Sequence, residues 1–339
     1  MLPLPVGTTD ALVADAMVDI ATLRAALPHC LARTDLDQFG AKYEGKVRDN
    51  YTNGDKRFIV VTDRISAFDR VLGTVPFKGQ VLNRLAAWWF DKTRNVAPNH
   101  MIRLADPNVL ECVECTPILV EMVVRAYATG TTSTSLWTHY ERGVRVFCGH
   151  KLPEGLKKHQ RLAGAILTPT TKAPKGEHDV SGSRDEILAT GKVTAADFDE
   201  SAALAMKLFA AGEGLCAERG LLLVDTKYEF GRTKGGELVV IDEIHTPDSS
   251  RFWKAATYEE RFRSGQDPDP LDKDFVRRWY LSQGYRGDGD APAMPDDVRV
   301  GAAERYVAAY EQITGESFEP DTEPPLARMK RNLGLGTKP

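Results

Sequence analysis

The chain has 339 residues, 42% of them hydrophobic and 27% charged, with a formal net charge of −4 at neutral pH. That length suits one large domain or two to three ordinary ones, and nothing in the near-balanced charge suggests a polyanion-binding surface or a disordered acidic chain. No apolar stretch approaches the ~20 residues of a membrane-spanning helix, and residues 1–6 lack a charged-then-apolar signal pattern. The cysteines Cys30, Cys112, Cys115, Cys148 and Cys216 include a single C-x-x-C with no second pair at zinc-finger spacing. Reduced thiols in a soluble, cytoplasmic protein are the expectation.

In chain order, helical periodicity covers residues 11–26, with Thr9 or Asp10 as cap and Pro28 as stop. Residues 38–62 read as strands, the clearest at 58–61 after a turn at Asn53-Gly54. Residues 79–93 predict a helix with Leu82, Leu85, Trp88 and Trp89 on its core side. Strand returns at 117–129 and helix at 132–140, followed by a polar loop at 168–183 long enough to be functional or mobile. A long amphipathic helix over 195–219 delivers the chain into a strand opening at Gly220. Residues 238–244 form another strand, 272–282 and 298–314 are helices, and the tail after Pro320 reads as loosely held. Strands gathered in two blocks between helices predict an α+β protein of two or more subdomains.

The segment GLLLVDTKYEFG, residues 220–231, is unusual for a buried strand. Alternation puts Asp225, Lys227 and Glu229 on one face and Val224, Thr226, Tyr228 and Phe230 on the other. If Gly235-Gly236 is a two-residue hairpin loop, Glu229 faces Asp242 across the ladder. Opposed carboxylates repel unless a cation or proton lies between them. Mg²⁺ suits such a pair, because it takes one or two carboxylates together with substrate phosphates. A solvated face with i,i+2 ion pairing is the more common fate of D-x-K-x-E on spacing alone. The polar density of Glu243, His245, Asp248, Ser249, Ser250 and Arg251, just before Phe252-Trp253, favours a site.

Gly45, Lys46 and Arg48 set a glycine just before two basic residues in a hairpin, which could let backbone and charge approach a triphosphate. Neither a Walker A loop nor a Rossmann glycine pattern occurs in the chain. Thr62–Asp69 sets acids, an Arg and a Ser at a strand end, a pattern equally at home in a turn. Arg125–Thr132 ends a strand and opens a helix, where hydroxyls and free N–H groups serve either an anion site or plain capping. His178-Asp179 in the long loop reads as polar surface.

Taken together and in order, GKVRDNY, TDRISAFD, the Lys78-Gly79 step, VVRAYATGT, TPTTK with EHD, LVDTKYEFG and IDEIHTPDSSRFW resemble the SAICAR synthetase family. This is the phosphoribosylaminoimidazole-succinocarboxamide synthase family, and the resemblance runs from about Gly45 to Trp253. It implies an α+β, two-lobed fold. A small kinase-like lobe would span residues 1–115, a larger ATP-grasp-like lobe 116–260, and extra C-terminal helices packing on both would occupy 261–339. It also implies an ATP- and Mg²⁺-dependent ligase of purine synthesis that joins L-aspartate to the carboxylate of carboxyaminoimidazole ribonucleotide (CAIR), through an acyl phosphate.

By motif, the resemblance implies ATP binding by Gly45, Lys46, Arg48, Glu121, Lys172, Glu229 and Asp242, with Glu229 and Asp242 holding the metal. The adenine would lie against residues 115–121. CAIR would be held by Arg125, Thr131, Asp225, Lys227, Ser250 and Arg251, and L-aspartate by Arg64, Ser66, Asp69 and Asp179. Lys227, Asp225 and Lys78 would be the catalytic groups, with Lys78 also on the aspartate side. Thr131 stands where Ser is usual, and Asn50 replaces a commonly apolar residue. The implied partners are small molecules, with no nucleic acid or membrane; a monomer is favoured and a homodimer stays open. A small-molecule kinase on the same two lobes, or a silent nucleotide-binding module, is the alternative.

Overall fold

The computed structural model describes residues 18–335 except 69, 173–178 and 272–273, and only the backbone of residue 274. The first helix, α1 (Ile20–Ala26), is capped by Asp19, whose carboxylate accepts from the Thr22 amide. It ends before Pro28, as its sequence requires. The start expected at residue 11 lies outside the described residues.

Strands β1 (Ala41–Glu44), β2 (Arg48–Asn53) and β3 (Lys56–Val61) then form an antiparallel meander. Gly54, at φ 62°, opens the β2–β3 turn, a conformation natural to glycine. A small hairpin, β4 (Arg64–Ala67) and β5 (Arg70–Thr74), precedes α2 (Lys78–Lys92). Trp89, Leu82 and Leu85 bury the inner face of α2 as the periodicity predicts. Strands β6 (Met101–Asp106) and β7 (Val109–Val113) complete a five-stranded sheet in the order β1-β2-β3-β7-β6.

The chain crosses at Glu114 to a second, seven-stranded sheet with β8 (Cys115–Pro117) and β9 (Val120–Tyr127). Helix α3 (Leu136–Glu141), the hairpin β10 (Val146–Phe147) and β11 (His150–Lys151), and strands β12 (Arg161–Leu167) and β13 (Thr170–Thr171) follow. Helices α4 (Arg184–Ala189) and α5 (Ala195–Glu218) lead into β14 (Leu221–Thr233), β15 (Leu238–Ile241) and β16 (Ser250–Lys254). Strand β14 is the hub, pairing antiparallel with β8, β9, β15 and β16. Helices α6 (Ala255–Arg263), α7 (Asp274–Ser282), α8 (Asp296–Thr314) and α9 (Pro325–Asn332) close the chain. The largest buried cluster draws on both sheets and on α1, α2, α5, α7 and α8, so one core underlies both. Among the described residues, no helix is long and apolar enough to cross a membrane.

Two expectations are corrected. The β14–β15 register is one residue off the predicted one, and Glu229 pairs with Ile241, not Asp242. The loop holds three residues, Lys234 to Gly236, closed by the Thr233 amide on the Glu237 carbonyl (2.9 Å). Gly236 takes the left-handed φ of 83° that such a loop needs. The tail is also not loose. Arg328 of α9 is fully buried and donates to both Asp106 carboxylate oxygens at 3.1 Å. A charge in that position is tolerable only when paired.

Candidate active site

A cleft of about 370 Å³ lies between the β1–β2 loop of the first sheet and β14, β15 and β8 of the second. Its lining mixes apolar Val113, Pro117 and Ile241 with the charged Lys46, Arg48, Lys172, Lys227, Glu229 and Asp242. On its floor the Lys227 ammonium sits between Glu121 (2.8 Å) and Glu229 (2.7 Å), and Lys172 pairs with the second Glu229 oxygen. Burial disfavours the Lys227 charge, but Glu229 and Glu121 outweigh it and hold its pKa well above that of free lysine. Burial likewise pushes the Glu229 pKa up, and Lys227 with Lys172 reverses this, keeping it well below the usual carboxylate range. Glu121 is left with a raised pKa, chiefly through burial, and exposed Asp179 adds to the push.

Asp242 enters the cleft by a different route from the one the hairpin predicts. It follows the last residue of β15 with φ 70°, a left-handed turn out of the strand that Asp tolerates better than most residues. There it pairs with Arg48, which also engages Glu243. Burial opposes the Arg48 charge, while Asp242 and Glu243 secure it. Arg48 thus ties the two sheets together across the cleft. Gly45 to Arg48 form the β1–β2 turn itself, closed by the Gly45 amide on the Arg48 carbonyl (2.8 Å).

Beyond Lys227 the same strand meets a row of charge. Asp225 pairs directly with Arg125 of β9 on one side and Arg251 of β16 on the other. One Asp225 oxygen lies 3.3 Å from Arg125 Nη1 and 3.1 Å from Arg251 Nη1. Burial pulls the Arg125 pKa down and Asp225 opposes it. Arg125 also donates to the Thr168 hydroxyl (2.9 Å) and to the Thr134 carbonyl (3.0 Å). It thereby fixes the loop that carries exposed Thr131. Three adjacent strands thus present Arg, Asp and Arg, a net positive surface beside a hydroxyl-rich loop. Ser250, expected with them, alternates to the other face and bonds Thr226 (Oγ to Oγ, 2.6 Å).

The aspartate-side residues scatter. Lys78 is fully buried, donating to Asp248 (2.8 Å), whose other oxygen accepts from the Tyr306 hydroxyl (2.7 Å). Ser66 is half-buried on the β4–β5 hairpin, away from the cleft, where Arg70 donates to the Gly289 carbonyl (2.8 Å). Arg64 is buried beneath the β1–β2 loop. Asp69 and His178 lie outside the described residues. His245 is core, bonded to the Tyr228 hydroxyl (2.5 Å) and edge-on to Trp89. Sequence reading gave no role to Tyr306, which reads as one more core position of α8, and quoted Thr168 only within the TPTTK motif; that Thr168 accepts from Arg125 comes from the packing of the segment after β12 against β9.

The geometry can now be set beside known proteins. The SAICAR synthetase family model matches residues 41–292. The chain belongs to the SAICAR synthetase family. A Legionella pneumophila phosphoribosylaminoimidazole-succinocarboxamide synthase is 49% identical over 300 residues, which is 88% of this chain and 95% of that protein. A chloroplastic synthase of the same name from Arabidopsis thaliana is 46% identical over 320 residues, 92% of this chain and 77% of that protein. Among solved structures, a SAICAR synthase from Saccharomyces cerevisiae complexed with SAICAR matches with a TM-score of 0.73 at 30% identity, covering 86% of this chain and all of that one. A type-2 SAICAR synthetase in complex with ADP matches with a TM-score of 0.62 at 25% identity, covering 83% of this chain and all of that one. Family membership thus spans both sheets; α8 and α9 lie beyond the matched residues.

Proposed function

We propose that the cleft between the sheets binds MgATP, and that the Arg125–Asp225–Arg251 row beside it holds CAIR. As a member of the SAICAR synthetase family, the chain is an ATP-dependent ligase of purine biosynthesis. One observation carries the site reading: a single strand bears both halves. Glu229, Lys227 and Asp225 alternate along β14, with the nucleotide cleft at one end and the arginine row at the other. Along the strand Lys227 lies about 7 Å from Asp225 and Glu229 about 13 Å, so a ribonucleotide phosphate on the arginines leaves its carboxylate within reach of Lys227 beside the nucleotide cleft. The relatives' ADP and SAICAR complexes support the same pair of ligands.

In this reading the five-stranded sheet is the kinase-like small lobe and the seven-stranded sheet the ATP-grasp-like lobe, divided near residue 115. The apolar side chains of the lining meet the adenine, and the basic ones meet the phosphates. Glu229 and Asp242 offer hard carboxylate oxygens on the cleft wall, and among the described residues each is matched by a cationic side chain, so a positive charge belongs there. Two carboxylates are enough for Mg²⁺, a cation that completes its shell with phosphate and water. When bound, Mg²⁺ offsets the charge on the transferring phosphoryl group.

A carboxylate is a poor acyl donor because its leaving group is oxide. A CAIR carboxylate oxygen therefore attacks the ATP γ-phosphorus, ADP departs, and an acyl phosphate forms. Lys227 orients the carboxylate, and Lys46 and Lys172 meet the phosphates. The aspartate amine then attacks the acyl carbon, loses a proton, and inorganic phosphate leaves with the activated oxygen. The test is ATP consumption by the purified chain. It should require both L-aspartate and CAIR, with one succinocarboxamide formed per ADP. ADP release without incorporated aspartate would replace the ligase by a kinase.

A further inference from the structure

The motif pattern places Arg64 with the aspartate-side residues, but its hydrogen bonds point to the nucleotide. Its guanidinium is buried, and every nitrogen donates. Nε reaches the Lys46 carbonyl (2.9 Å), Nη2 the Gly45 carbonyl (3.1 Å) and the Asp49 carboxylate (2.8 Å), and Nη1 the Ala32 carbonyl (2.8 Å). Asp49 balances the charge and is itself held by the Thr34 amide (2.9 Å) and hydroxyl (2.6 Å). A planar fork of five donors reaches acceptors spread along its edges, whereas an ammonium concentrates three donors at one point.

The consequence follows from the peptide bond. In a planar trans peptide the carbonyl and the N–H point in opposite directions. With the carbonyls of Gly45 and Lys46 drawn down onto Arg64, the next N–H groups, those of Lys46 and Val47, turn away from it. Both residues line the cleft. From below, Thr62 secures the loop by donating to the Val47 carbonyl from its amide (3.1 Å) and its hydroxyl (2.8 Å). Successive amides aimed at one point make an anion-binding concavity. Arg48 is occupied by Asp242 and Glu243, so on this loop the amides join the Lys46 side chain in meeting the anion.

We infer that Arg64 is a positioning residue for ATP, a buried fork that aims the amides of Lys46 and Val47 at the nucleotide phosphates. This rests on the reading of the cleft as the ATP site. Arg64→Lys keeps the charge but loses the spread of the fork, so it cannot reach all four acceptors together. It should raise the dissociation constant for MgADP and the KM for ATP about tenfold, leaving the KM for L-aspartate and CAIR within about twofold. In the wild-type chain, MgADP should slow hydrogen exchange at the amides of Lys46 and Val47; this needs no variant and decides the matter if Arg64→Lys does not fold. A wild-type chain that does not bind MgADP overturns the cleft reading and this inference with it. If MgADP binds but leaves those amides exchanging as before, or binds Arg64→Lys as tightly as wild type, the cleft stands and the role of Arg64 falls. A rise confined to the KM for L-aspartate returns Arg64 to the aspartate side and overturns the inference.

Discussion

The Lys227 ammonium lies 2.7 Å from Glu229, and Glu229 turns its other oxygen to Lys172. The carboxylate is therefore fully ionised and already oriented before any ligand arrives, as an electrostatically preorganised site demands. Glu229→Gln removes that charge and leaves two lysines facing a neutral amide. Turnover should fall by about 10²-fold or more, and raising Mg²⁺ should recover little of it. Steady-state kinetics at saturating substrates check this; unchanged kcat would remove Glu229 from the site.

Arg251 and Arg125 share one Asp225 oxygen, but only Arg125 is also tied to the Thr134 carbonyl and the Thr168 hydroxyl. Arg251 is the more dispensable for folding, since it is half-buried rather than buried. Arg251→Ala should raise the KM for CAIR by about tenfold or more, the worth of a charge-assisted contact to phosphate, with the KM for ATP little altered. An equal rise in both constants would mean that the arginine row does not discriminate between the two nucleotides.

Acid should weaken the fold through its buried histidines. Burial lowers the pKa of His245 from 6.5 to about 3 and that of His100 to about 4. Below the ordinary value the unfolded chain takes up protons that the native state refuses, so stability falls as pH drops from 6.5 toward 4. Each group adds about 1.4 kcal/mol per pH unit to that slope. Asp63 works the other way: burial raises its pKa from 3.8 to about 6, so over that interval the native state holds the extra proton and stability falls as pH rises. Urea titrations from pH 4 to 7 should show a slope lower by about one proton in His245→Gln and higher by about one proton in Asp63→Asn. Parallel curves for variants and wild type would refute both assignments.

The C-terminal helix should matter for stability although it lies beyond the residues that the family model matches. Arg328→Ala leaves the Asp106 carboxylate buried with its guanidinium partner gone, a change that costs about 3–5 kcal/mol. Asn332, which also donates to Asp106 (2.8 Å), cannot replace a charge. Chemical denaturation would register the loss. A variant as stable as wild type would show that the tail contributes no more than a surface segment.

Much of this protein follows from its sequence alone. Hydrophobic period placed α2, α5, α8, β3 and β14 close to their observed limits, because each buries a continuous apolar face and periodicity records burial. The same alternation assigned Asp225, Lys227 and Glu229 to one face of β14, and the ordered motifs marked the family. What periodicity could not register was register itself. A three-residue loop in place of a two-residue one moved Ile241 opposite Glu229, and only the left-handed turn at Asp242 brought that carboxylate back to the cleft. Arg64 shows the same limit from another side: its motif carries an Arg at a strand end, but what it holds depends on carbonyls of Ala32, Gly45 and Lys46 brought beneath one sheet. A sequence specifies which groups are polar and how often they recur along an element. Which buried polar group meets which partner is settled by packing, because each unpaired donor or charge in the interior is costly enough to be resolved only by contacts from distant parts of the chain.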